Sequence, residues 1–332
     1  MLETHKPNFT LVSTQDCDER NKTLVIRAIL ITSVCCTLPA LSTGFDWLKT
    51  FIPLAPFCFC VLLGQQTGRR IAFFAFLVSV AVSIIAGNYA HIIFPLTLLP
   101  VGIGLGFVAE ARYSPARSGA TITALILAGW VIGGILVYTI TGHNPYHTGL
   151  QAMDQAFIGL QEMYKNNSDI PEDVMRDVLQ GVETMRRATP AIFPSLLIAT
   201  AIFTSWVNMA LGNRILRNSK AKRIVWPPFK YWRISENLVW LLIIAGVATL
   251  IPVTAIKVVG LNLLLTLGTV YFFQGVAVVL ALMDRFKTPK PVRFLIYVLL
   301  VVQTYSIFMI AIIGIIDVWK DLGKIYAEPE SK

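Results

Sequence analysis

HIIFPLTLLPVGIGLGFV, His91–Val108, runs for eighteen residues without a carboxylate, lysine or arginine. A hydrocarbon core about 30 Å thick takes roughly 20 mostly apolar residues per spanning helix, so this stretch is long enough to cross a bilayer. Inside lipid every backbone N–H and C=O must be satisfied within the protein, which leaves helices or closed barrels. A barrel would show strands of about ten residues with alternating polarity. This run is continuous, so a helix is expected.

Eight further runs read the same way: about Leu24–Leu41, Trp47–Gly64, Ile71–Gly87, Ala120–Thr141, Ala191–Leu211, Leu238–Pro252, Val258–Met283 and Val292–Trp319. The expected fold class is all-α, a polytopic transmembrane helix bundle of about nine spans. Eight is the alternative, because the second and seventh runs are short and carry Pro53, Pro56 and Pro252, so either could be re-entrant. Composition agrees. Of the 332 residues, 55% are hydrophobic and 14% charged, with mean hydropathy +0.65. Soluble chains average roughly 45–50% apolar and about 25% charged, so this chain lacks the polar surface a soluble protein of its length needs.

The net charge of +9 is placed by topology rather than by nucleic acid. Eighteen Lys and Arg fall in one set of connections and nine in the opposite set, with Arg27 inside the first span. The positive-inside rule then puts the N-terminus and the basic loop on the cytoplasmic side of the membrane. The organisation expected is a cytoplasmic tail over 1–23, a first helix group of about five spans over 24–141, and an extracytoplasmic amphipathic hairpin over 142–190. A second group of about four spans follows over 191–319, with the basic cytoplasmic loop at 212–236 and a C-terminal tail at 320–332. The polar first 23 residues show no leader-peptide pattern, so the first span is expected to act as its own insertion signal.

In the hairpin, Leu150, Met153, Phe157, Leu160 and Tyr164 recur at helical spacing, as do Val174, Val178, Val182 and Met185. Pro171 suits a helix start. Two short amphipathic helices are expected, either packed on the bundle or closing over an outward-facing cavity.

Candidate chemistry lies in a few polar residues inside apolar runs. Pro95 and Pro100 each remove a helical hydrogen bond, and a helix broken in mid-membrane needs its freed groups satisfied by neighbours, water or a ligand. Gly102-x3-Gly106 also fits close helix packing. Asn208, Asn262, Thr266, Tyr271, Gln274 and Gln303 sit in the later runs. Buried amides in a bilayer must be paired, so these residues are either interhelical ties or the lining of a polar cavity. Asp317 and Glu110 are read as lying at the ends of runs, leaving no mid-depth carboxylate and counting against a proton- or sodium-coupled transporter.

No nucleophile, acid–base or phosphate-binding set occurs, so neither enzyme activity nor a cofactor is expected. His91, His143 and His147 do not make a metal set, because Pro145 interrupts the last two. Cys17, Cys35, Cys36, Cys58 and Cys60 show no disulfide pattern. The stretch IVWPPFKYWRISENLVW, Ile224–Trp240, mixes cations with Trp226, Phe229, Tyr231 and Trp232, as interfacial anchors do. Arg214, Arg217, Lys220, Lys222, Arg223, Lys230 and Arg233 form a candidate surface for a cytoplasmic or membrane protein partner; a nucleic-acid partner is not expected.

FKYWRISENLVWLLIIAG and VGLNLLLTLGTVYFFQGVAVV resemble the YybS-like family of uncharacterised bacterial multi-pass membrane proteins, a domain of unknown function. The likeness rests on Phe229, Trp232 and Arg233 before one run and on Asn262, Tyr271, Gln274 and Gly275 in the next. Where that family has a proline after the aromatic-Arg motif, this chain reads Ile234-Ser235. The resemblance implies a distant similarity to the substrate-binding subunits of energy-coupling-factor transporters, bundles of about six helices that capture vitamins or metal ions. A capture subunit would need an energy-supplying partner.

The expected function is binding or transport of a small solute through a cavity in the bundle. The alternative is a non-transporting cell-envelope assembly or scaffold protein acting through its basic cytoplasmic loop.

Overall fold

The structure is a computed structural model that describes residues 14–41, 43–166, 171–219, 225–303 and 305–320. Among the described residues every regular element is helical, and the chain divides into two compact units, one ending at Phe107 and the other starting at Val108.

The first unit holds α1 (Thr14–Leu41), a 3-10 turn at Thr43–Phe51, α2 (Leu54–Leu63), α3 (Gln65–Ile85), a second 3-10 turn at Tyr89–Ile92, and most of α4 (Ile93–Glu110). Helices α1 and α2 pack on α3. Small residues set the spacing. A Cβ on Gly68 would lie 2.7 Å from Cys60 Cα, one on Gly102 2.5 Å from the Pro53 carbonyl oxygen, and one on Gly106 2.5 Å from Cys60 Cβ. Cys58 and Cys60 are buried free thiols in this contact.

The break expected in the fourth run is absent. Pro95 falls in the first turn of α4, where backbone N–H groups have no partner inside the helix anyway. The helix then continues through Pro100 to Glu110. It ends, as α3 does, on a residue in the left-handed region: Arg112 (φ 55°) here and Gly87 (φ 67°) there. In both, the next N–H reaches five residues back, Tyr113 to Val108 and Asn88 to Ser83, which closes the helix end without water.

The second unit holds α5 (Pro115–Thr141), α6 (Pro145–Lys165), α7 (Glu172–Asn218), a 3-10 turn at Phe229–Tyr231, α8 (Leu238–Leu250), α9 (Thr254–Arg285), α10 (Lys290–Val302) and α11 (Tyr305–Lys320). The starts of α5 and α6 follow from sequence. Ser114 and Asn144 cap them by accepting from the N–H groups of Arg117 and Tyr146, and a proline takes the first position of each. Helix α9 is the hub, packed against α7, α8, α11 and the 3-10 turn between α7 and α8.

Among the described residues seven helices are long and apolar enough to cross a membrane, eight if the bent pair α10–α11 is one span. The expectation of nine is corrected at two places. Leu238–Pro252 yields only the 13-residue α8, about 20 Å long at 1.5 Å per residue and short of the hydrocarbon thickness. Val292–Trp319 is not one helix, since α10 and α11 meet at 108°.

The hairpin forms from α6 and the first part of α7. Its second helix is not short: it runs on through Pro190 and Pro194 into the sixth apolar run as one helix of 47 residues. Arg186 pairs with Asp154 at 2.6 Å, and the Gln161 amide donates to Glu183 at 3.3 Å. The hydrogen bond from Arg186 holds the Asp154 carboxyl below the ordinary aspartate range.

Candidate functional site

Helix α11 carries one carboxylate in sixteen residues, Asp317. Ile310, Gly314 and Asp317 share a stripe at helical spacing, and all three are buried. The glycine explains how the stripe closes on α9. A Cβ on Gly314 would fall on the Tyr271 carbonyl oxygen, and one on Gly275 would fall on that of Ile310. The two backbones therefore touch, as small residues permit in membrane helices.

This approach brings Asp317 onto Gln274. The Gln274 amide nitrogen donates to Asp317 Oδ2 at 2.6 Å, and Arg233 Nη1 donates to the same oxygen at 3.2 Å. The Asp317 side chain is 1% exposed and that of Arg233 35%. Tyr271 lies one turn from Gln274 on the same face of α9. It is fully buried, and its hydroxyl has no hydrogen-bond partner. Carboxylate, guanidinium and amide thus meet at one buried oxygen, with the Tyr271 ring buried one turn away on α9.

Arg233 reaches this point because the preceding segment folds inward. Asn213 on α7 donates to the carbonyls of Trp226 (3.0 Å) and Pro227 (3.2 Å) and accepts from Trp226 N–H (3.2 Å). The Trp226 indole donates to the Tyr113 carbonyl at 3.0 Å, and that of Trp232 to the Pro227 carbonyl at 2.8 Å. Trp232 packs on Trp206 (5.5 Å) and Phe229 (5.0 Å), and Trp206 stacks on Phe273 (5.6 Å, 19°). Trp226 and Trp232 are each 2% exposed. Within the expected interfacial anchor, Trp226 and Trp232 instead form an internal aromatic plug, each indole N–H finding a backbone acceptor inside the protein, while Tyr231 and Trp240 stay exposed.

The amides nominated from sequence do not converge. Asn208 is buried, donating to the Thr204 carbonyl at 2.7 Å. Asn262 grips α7, its Oδ1 accepting from Ser195 N–H (2.9 Å) and its Nδ2 donating to the Ala191 carbonyl (2.7 Å). Thr266 is half-buried on α9, and Gln303 is exposed at the bend between α10 and α11. Pro95 is buried and Pro100 exposed in the first unit. A cavity of about 320 Å³ lies between α8 and α9, and its wall is aliphatic, including Ile244, Ala248, Val259 and Leu263. None of the nominated residues lines it.

The nominated cations also separate. Arg214 and Arg217 are exposed, whereas Lys230 pairs with Asp284 (2.8 Å) and Arg233 with Asp317. Lys220, Lys222 and Arg223 lie outside the described residues. Among the described residues no group of three His, Cys, Asp or Glu side chains is placed to hold a metal ion.

One family model covers residues 26–318, and its description is a predicted membrane protein, DUF2232. The chain belongs to the DUF2232 family. No curated protein matches it, and no solved structure does. That description of a membrane protein agrees with the long apolar helices described above.

Proposed function

We propose that this DUF2232 protein binds a small polar solute within its helix bundle, at the site centred on Asp317. The observation that carries the reading is the hydrogen bonding of Arg233 and Gln274 to one fully buried carboxylate oxygen on an apolar helix. Ionisable groups at membrane depth are expensive and mark solute or ion paths more often than they serve packing. Tyr271 adds a buried hydroxyl with hydrogen-bonding capacity left over. Asp317 is buried near the end of α11, and with an ionisable group inside the bundle, coupling of solute movement to a proton or cation joins simple capture as a mode of action within this reading. The reading is of a binding or transport protein in a bacterial inner membrane with a cytoplasmic N-terminus, not of an enzyme.

The alternative is an assembly protein acting through its basic loop. It draws on Arg214 and Arg217 alone among the described loop cations that face outward, because Lys230 and Arg233 are engaged internally.

The test is a thermal-shift screen of metabolites and metal salts on the purified chain, repeated with Asp317→Asn. A compound that stabilises the wild type and loses its effect in the variant supports the reading. A screen with no shift, or with equal shifts in both proteins, overturns it.

A further inference from the structure

Helix α10 follows α9 through a tight and fully bonded turn. Lys287 takes the left-handed conformation at φ 48°. Its N–H bonds the Asp284 carbonyl, and the Thr288 N–H bonds that of Met283, the pattern that terminates a helix without water. Arg293, one turn into α10, then reaches back. Its guanidinium donates to the Thr288 carbonyl (2.9 Å), the Met283 carbonyl (3.1 Å) and the Asp284 carboxylate (2.5 Å). The direction of α10 is therefore set by the end of α9.

That direction is not along a span. Ile310 meets Gly275 and Gly314 meets Tyr271, so α11 advances as α9 recedes and the two are antiparallel. Helix α10 is bent 108° from α11. It therefore leaves the line of α11, which packs antiparallel on α9, and α9 is long and apolar enough to be a span. Phe294, Leu295, Tyr297, Val298 and Leu299 on α10 are all exposed, and at 100° per residue they cover roughly 200° of its circumference. Ile296, Leu300 and Arg293 on the remaining arc are half-buried. Between Asp284 and Arg293 stand four cations, Arg285, Lys287, Lys290 and Arg293, against one carboxylate.

We infer that α10 lies in the plane of the bilayer on the basic side of the protein, with its apolar face among the acyl chains and Lys287 and Lys290 on the headgroups of anionic phospholipid. An interfacial helix lays its apolar face among the acyl chains and is held there in part by attraction of its basic residues to anionic lipid. Headgroup phosphate supplies the charge that the turn lacks. The Arg293 latch fixes α10 to the end of α9, and the 108° bend turns it away from α11.

Spin-label depth measurement on the full chain tests this. The five native cysteines are replaced by alanine, and one cysteine at a time is introduced at Val292, Leu295, Val298 or Leu299. Each protein is reconstituted in vesicles of phosphatidylcholine alone or with added phosphatidylglycerol. The expected result is a depth that oscillates with the helical period and stays within about 5–10 Å of the headgroups. The label should sit deeper and move less with phosphatidylglycerol present, and K287Q/K290Q should abolish that difference. Depth increasing steadily from Val292 to Leu299 overturns the in-plane placement. Identical depth and mobility in both lipids overturns the anionic occupant. Short label-to-label distances between copies at Leu295 would assign the face to a second copy of the chain and overturn the lipid reading.

Discussion

Asn262 on α9 grips the turn of α7 that carries Ser195. In an unbroken turn the Ser195 N–H would bond the carbonyl of Ala191. Asn262 bonds both groups, accepting from the first at 2.9 Å and donating to the second at 2.7 Å. The insertion coincides with Pro194, whose ring crowds the preceding turn, and side chains entering the ladder are a known cause of helix bending.

The consequence is a specific coupling. Asn262→Leu leaves a backbone donor and acceptor without the amide in a bundle that water does not enter freely, and it should destabilise the protein by about 1–2 kcal/mol. Pro194→Ala lets α7 close its own ladder, so the same substitution in that background should have a smaller effect. Thermal unfolding of the four proteins in detergent measures the cycle. Additive effects would show that the amide and the proline act independently.

Gly275 and Gly314 make a second prediction. Either glycine replaced by alanine places a methyl group on backbone of the facing helix, and backbone cannot move aside as a flexible side chain can. Overpacking of this kind is destabilising by about 1–3 kcal/mol. The shift should also separate Asp317 from Gln274, so hydrogen exchange should rise across α11 in G314A. A variant whose α11 stays as protected as in the wild type would contradict the close-contact account.

The Arg233–Asp317 pair should show strong non-additivity. Removing one partner of a buried pair leaves a charge without compensation, an effect of about 3–5 kcal/mol when both are buried; Arg233 is partly exposed, so the lower end applies. R233Q and D317N should each lower the unfolding temperature. The double variant, with two neutral groups able to bond each other and Gln274, should recover part of the loss. A double variant as unstable as the sum of the singles would show that the pair does not interact.

Much of this architecture was legible in the residues, and the exceptions have physical causes. Pro171 reads as a helix start, and α7 begins at the next residue; Ser114-Pro115 and Asn144-Pro145 are local start signals of the same kind, a capping oxygen with a fixed φ, that the expected bounds did not use. The apolar runs announce helices for the same local reason. Of the polar site, Tyr271, Gln274 and Arg233 were legible as candidates but Asp317 was not, since it is three residues from the end of α11 and depth in the bundle depends on what packs beside it. The Ile310–Gly314–Asp317 stripe was the available signal. Trp226 and Trp232 beside Lys230 and Arg233 have the composition of a membrane-surface anchor, and only Asn213, thirteen residues earlier on another element, turns them inward. The count of spans differs because hydropathy adds residues without sensing direction: the bend at Gln303 lies inside a run that composition reads as continuous.

The α6–α7 hairpin should respond to acid. Its Asp154 carboxyl is lowered by the hydrogen bond from Arg186, so the pair's contribution is fully present above the ordinary aspartate value of 3.8 and is lost as the pH falls through the still lower value in the folded protein. Between neutral pH and about 4 the pair should therefore hold. Below that range Asp154 takes up a proton, Arg186 keeps only its contact with Glu183 at 3.5 Å, and the hairpin should open more often. Hydrogen exchange, corrected for the intrinsic pH dependence of the amides, should show faster opening of residues 150–165 at pH 3 than at pH 5, and Asp154→Asn should show the faster opening at both. Equal opening rates in the wild type at the two values would mean that apolar contacts along α6 and α7, rather than the Arg186–Asp154 pair, keep the hairpin closed.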